Sequence, residues 1–192
     1  MTTQDVLATG INFTGVKKYI ALNYGEETWA ETVRTLSPGA RAVWTNTHAA
    51  GTGYPFSAFK EMVATLHAAL RTTSESEAAA VYEFILDEST GSMNRIFLRM
   101  TQPSQILRNY PLLWGKFFNT GSVEVPVATR GHGVVRFLLP EIFEDWLPAA
   151  CLGFSRKAIE MGGGRELRMT RTAFQKKPGG LFESVYELRW IE

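Results

Sequence analysis

Val123-Glu124-Val125-Pro126-Val127-Ala128-Thr129-Arg130-Gly131-His132-Gly133-Val134-Val135-Arg136-Phe137-Leu138-Leu139 reads as two extended runs joined by a glycine-bearing turn. Val123, Val125 and Val127 alternate with Glu124, Pro126 and Ala128, and a period of two puts successive side chains on opposite faces of a strand. Residues 134–139 form the second arm, and the short connection 129–133 suits a hairpin. Pro126 has no N–H to donate, so its strand belongs at a sheet edge or a bulge. Residues 166–174 and 181–190 repeat the alternation around Lys176-Lys177-Pro178-Gly179-Gly180, which predicts a second hairpin. Between the hairpins, residues 141–161 place Ile142, Phe143, Trp146, Leu147, Ala150, Phe154, Ala158 and Met161 at helical steps. Pro148 marks a bend or restart in that long helix, and Gly162-Gly163-Gly164 stops it.

The first half is helical. A short helix over 25–36 starts after a Tyr24-Gly25 break, carries Glu26 and Glu27 in its first turn, and lines up Trp29, Val33 and Leu36. Ser37-Pro38-Gly39 ends it, a second short helix occupies 40–44, and the polar stretch 45–53 reads as a loop. From Tyr54 onward Phe56, Phe59, Met62, Val63, Leu66, Ala69 and Leu70 recur at three- and four-residue steps, the spacing of one helix face. Ser74 followed by Glu77 is a capping box for the next helix, through Tyr82 and Leu86. Met93, Ile96, Phe97 and Met100 continue helical spacing over 92–100. Pro103 opens a helix reaching Phe118, which Pro111 bends or splits. The fold class is therefore α+β, a single domain over 1–192. Its helical N-terminal half packs on a small antiparallel sheet made of two hairpins separated by a long helix.

The 192 residues balance 20 Lys+Arg against 19 Asp+Glu for a net charge of +1, which gives no electrostatic footprint for a nucleic-acid partner. With 45% hydrophobic and 12% aromatic residues the chain can bury a continuous core. The single cysteine, Cys151, excludes an internal disulfide and any multi-cysteine metal site. No apolar run is long enough to span a bilayer, and residues 1–9 lack the order of a secretion signal, so a cytoplasmic location is expected.

Tyr24-Gly25-Glu26-Glu27-Thr28-Trp29, Tyr110-Pro111-Leu112-Leu113-Trp114, Cys151-Leu152-Gly153-Phe154 and Tyr186-Glu187-Leu188-Arg189-Trp190 occur in an order that resembles the superfamily of the heme nitric-oxide/oxygen-binding and four-vinyl reductase domains, including bacterial, myxobacterial-type relatives. The resemblance implies helices packed on a small antiparallel sheet, with an apolar cavity between them that some members use for a porphyrin, a lipid or another small ligand. It also implies that related folds serve as assembly subunits. Two features of those families are missing. No Tyr-x-Ser-x-Arg spacing, which holds the heme propionates, occurs in this chain, and residues 172–180 hold none of the cysteines of vinyl reductase-type domains.

Residues that could carry chemistry read mostly as structure. His48, His67 and His132 show no metal-ligand spacing, and no metal or other cofactor is expected. His67 lies in a Leu-His context similar to that of a heme ligand, but it sits just off an apolar helix face at a helix boundary. His132 is a turn residue and His48 a loop residue. Cys151 is flanked by apolar residues, where a thiol is inert. No Gly-x-Ser-x-Gly elbow occurs, and the adjacent carboxylates Glu26-Glu27, Asp87-Glu88 and Glu144-Asp145 point to different sides of a helix. No catalytic residue is assigned. Strand alternation puts Arg165 and Arg171 on one face of the second hairpin and Arg168 on the other. Aromatic residues are the remaining signal. The leading expectation is a non-enzymatic small-ligand-binding or sensory module whose apolar cavity is lined by Trp114, Phe118, Phe137, Trp146 and Phe154, with Arg136 and His132 as polar contacts. The alternative is a ligand-free scaffold that forms a homodimer or binds a protein partner. The third reading is a heme gas sensor using His67.

Overall fold

The computed structural model describes residues 5–91 and 101–192. The chain opens with β1 (Leu7–Thr9), whose antiparallel partner is β2 (Gly53–Pro55). Neither strand was legible in the sequence, because three residues are too few to show a period. Between them lie α1 (Gly10–Thr35) and α2 (Pro38–Trp44). The break expected at Gly25 is present, with φ 87° and ψ 164°. A residue without Cβ adopts that backbone at little cost. The helix also extends back to Gly10, where buried Phe13, Val16 and Ile20 follow helical spacing.

α3 (Phe56–Ala69) buries Phe56, Phe59, Met62, Val63 and Leu66, the face read from the sequence. α4 (Glu75–Thr90) starts with the expected capping box: Ser74 Oγ accepts from Glu77 N–H, and the Glu77 carboxylate accepts from the Ser74 backbone. The helical reading of 92–100 lies outside the described residues. The following helix is split, as Pro111 implied, into α5 (Pro103–Arg108) and α6 (Tyr110–Phe117), each with proline in its first turn.

β3 (Ser122–Thr129) and β4 (His132–Pro140) form the first hairpin, β5 (Arg165–Lys177) and β6 (Leu181–Ile191) the second. Together they make one antiparallel sheet in the order β3-β4-β6-β5. Pro126 lies on the edge strand β3, where the register shifts between Glu124 and Val127. The connecting helix corrects one expectation: Glu141–Phe143 is a 3-10 turn, and α7 runs only over Leu147–Met161. Pro148 explains this, since a residue with fixed φ and no N–H fits the first turn of a helix and not its interior.

The arginine alternation on β5 is corrected as well. Arg165 pairs with Ile191 and Arg168 with Arg189, so an extra residue is inserted between them; Glu166, in that interval, has φ 54°. The bulge reverses parity. Arg165 and Arg168 share a face, and Arg171, opposite Tyr186, takes the other.

Two constraints draw these parts into one core. Near the N terminus, Leu7 N–H donates to Asn119 Oδ1 at 2.7 Å, Ala8 bridges to Phe118, and buried Asn12 Nδ2 donates to the Phe117 carbonyl at 3.1 Å. These bonds fasten the first helix to the segment that leads into the sheet. The second is the close approach of α7 to α4 at Gly153, where an added Cβ would lie 2.3 Å from the Ala79 carbonyl oxygen and 2.9 Å from Tyr82 Cβ. Gly153→Val therefore forces the helices apart and is expected to lower stability by about 1–3 kcal/mol, measured by urea unfolding. Unchanged stability would show that the crossing is not close-packed.

Candidate functional site

The space between the N-terminal helices and the sheet is an aromatic seam. Phe56 and Phe59 enter from α3, Trp114 from α6, Phe137 from β4, and Phe118, Phe143 and Trp146 from connecting segments. Phe56 stacks on Phe143 with centroids 4.2 Å apart. Trp114 lies 4.5 Å from Phe118 and 5.7 Å from Phe137. Trp146 meets Phe56 and Phe118 edge-on, each at 5.3 Å. Edge-to-face and tilted contacts at these distances are favourable in themselves and fill volume. The void left among Tyr110, Trp114, Phe117, Phe118 and Phe154 holds about 20 Å³, the scale of a single water.

The residues expected to line a cavity fall into three groups. Trp114, Phe118 and Phe154 border this small void. Phe137 and Trp146 are buried behind them in ring contact with Trp114. Arg136 and His132 belong elsewhere, which corrects the sequence reading. Phe137 points inward, so the neighbouring Arg136 must point outward. It reaches Glu124 at 3.4 Å across the outer face, and His132 Nε2 lies 3.0 Å from Glu187.

Roomier space lies beside the seam. A groove of about 470 Å³, mainly apolar, runs between the end of α4, α5, α6 and α7, bordered by Ile106, Leu112, Leu113, Met161, Asn109 and Lys116. Leu86, Leu113 and Ala158 border both the groove and the small void, forming a one-residue-thick wall between them. Leu86, Ile106, Leu113 and Ala158 were not singled out as site residues in the sequence. Their aliphatic side chains carry no signal that separates a groove wall from core.

Beneath the seam, Tyr110 Oη lies 3.4 Å from Ser155 Oγ, and Cys151 Sγ 3.9 Å from the same oxygen. Burial pushes the Cys151 thiol up to about 12 and the Tyr110 phenol well above its usual range. All three groups stay neutral and none supplies a nucleophile. His67, at the end of α3, lies 3.4 Å from Thr72 Oγ1 and borders a separate cleft with Tyr19 and Tyr24. Burial lowers its pKa. His48 stacks on Phe13. None of the chain's histidines enters the seam.

No protein-family model and no curated protein matches the sequence. Solved structures do. The chain is similar to the Fe(II) unliganded H-NOX protein from K. algicida at 14% identity and TM-score 0.69, covering 96% of this chain and 97% of that one. It is similar to the Fe(II)NO H-NOX protein from S. oneidensis at 12% identity and TM-score 0.68, covering 94% and 99%. An oxygen-binding H-NOX domain related to soluble guanylate cyclases aligns at 6% identity and TM-score 0.64, covering 93% of each. The chain has the H-NOX fold, as the sequence resemblance implied.

Two outcomes follow from the buried groups. A disulfide reagent at pH 8 should leave Cys151 unlabelled in the folded protein and label it stoichiometrically in denaturant; rapid native labelling would place the thiol at the surface. For His67, the folded pKa is below the ordinary 6.5, so the unfolded chain binds a proton that the folded chain refuses. Its contribution is complete above that value and is lost as pH falls. His67→Gln should flatten the acid-side decline of stability, read by urea unfolding across pH, and an unchanged decline would assign it to other groups.

Proposed function

We propose that this protein is a non-enzymatic sensory module that binds an elongated apolar molecule, not a porphyrin, in the groove beside the aromatic seam. The observation that carries this reading is the contrast in volume. The void beside Trp114 and Phe118 holds about 20 Å³, while the groove offers about 470 Å³, within the usual range of small-molecule sites. Leu112, Leu113, Ile106 and Met161 supply apolar surface, and Lys116 at the rim can meet a carboxylate or another anionic head. Trp114, Phe118 and Phe154, behind the Leu86–Leu113–Ala158 wall, form a floor that the end of a ligand reaches when that wall shifts.

The structural neighbours include iron-containing gas-binding proteins, and one of them is described by its porphyrin distortion. A porphyrin does not fit this seam as it stands. Phe56, Phe118, Phe143 and Trp146 occupy the volume in mutual ring contact. His48, His67 and His132 all lie outside the seam, and the propionate-binding spacing is missing from the sequence. The buried Cys151, Ser155 and Tyr110 lack a base, which supports a binding role over catalysis.

Native mass spectrometry of protein expressed with heme precursor tests this reading, with the Soret region recorded on the same sample. The expected result is an organic adduct lost on denaturation, no Soret band, and no adduct in Leu113→Trp, which fills the groove. A stoichiometric Soret band would overturn the proposal in favour of a heme sensor. A bare chain mass in a defined dimer would overturn it in favour of a scaffold.

A further inference from the structure

α1, α2 and the residues following α2 enclose a second cleft, of about 330 Å³, that shares no residue with the groove. Trp29 and Trp44 meet there edge-to-face with ring centroids 5.7 Å apart. Trp44 is anchored by its indole N–H, which donates to the Ala58 carbonyl at 2.9 Å, while Trp29 is only partly buried and offers ring surface. Lys17 Nζ stands 5.5 Å from the Trp29 ring centroid and makes no ion pair among the described residues. Asn46, Thr47 and His48 complete the border, and no carboxylate lines it.

We infer that this cleft binds a small planar aromatic acid, its carboxylate on Lys17 Nζ and its ring against Trp29. Each part of that ligand answers a feature of the cleft. Among the described residues Lys17 Nζ, placed over the Trp29 ring, makes no ion pair and no acidic residue lines the cleft, which favours an anion over a cation or a neutral molecule. Indole surface favours a flat π-system, which it contacts by stacking or by its edge. The volume admits one or two fused rings and excludes a porphyrin. His48 also borders the cleft, and its Nε2 is buried without a hydrogen-bond partner among the described residues. Burial first, and the nearby Lys17 charge after it, hold the imidazole neutral, while the Val43 carbonyl favours a proton on the ring.

Isothermal titration of the full chain with indole-3-carboxylate and with neutral indole-3-carboxamide tests the assignment. The expected result is saturable one-to-one binding of the acid, weakened about tenfold or more in the carboxamide and in Lys17→Met. Trp29→Ala should abolish binding, while Trp29→Phe, which keeps a ring, should retain it within a few-fold; circular dichroism confirms that each variant is folded. Absence of saturable binding to the wild-type chain would overturn the inference. So would equal affinity for acid and carboxamide, or unchanged binding in folded Lys17→Met.

Discussion

Trp146 packs where the N-terminal helices meet the elements that carry the sheet. Its ring contacts Phe56 and Phe59 of α3, Tyr82 of α4, Trp114 of α6, and Phe118 and Phe143 beside the sheet, with centroids 5.3 to 6.4 Å apart. One side chain thus ties the N-terminal helices to the elements that carry the sheet. Such rings interlock at crystal-like density, so the seam is set by mutual fit more than by any single contact. Filling it this way removes the space that a large flat ligand would need.

In this chain the space between the layers is closed by aromatic residues, and larger open volumes lie in a neighbouring groove and in a cleft at the N-terminal helices. The partition separates two chemistries. Among the described residues the groove is bordered mainly by aliphatic side chains with Lys116 at its rim, and the cleft by Trp29 and Trp44 with Lys17 over the Trp29 ring. Leu86, Leu113 and Ala158 border both the groove and the small void beside Trp114 and Phe118.

Much of the fold was legible in the sequence for identifiable reasons. The Val123–Val127 alternation and Pro126 gave an edge strand with a bulge, Ser74 and Glu77 a helix start, and Pro111 a helix split. Errors arose where local pattern is silent about insertions. The extra residue at the Glu166 bulge reversed the arginine faces of β5, whereas Pro148 stands where the helix restarts as α7. Grouping Arg136 with Phe137 overlooked the two-residue period, which by itself sends them to opposite faces. The sites were less legible because they are tertiary. Trp29, Trp44 and His48 belong to a helix, a second helix and a loop, and nothing in their spacing announces that they meet.

The most direct test of the central claim is a crystal structure of the protein as purified from cells supplied with heme precursor. Continuous rings from Phe56 through Phe143 and Trp146 to Phe118 are expected, with elongated density beside Leu113 in the groove. A porphyrin lying between Phe118 and Phe137, with the aromatic residues swung aside, would contradict it.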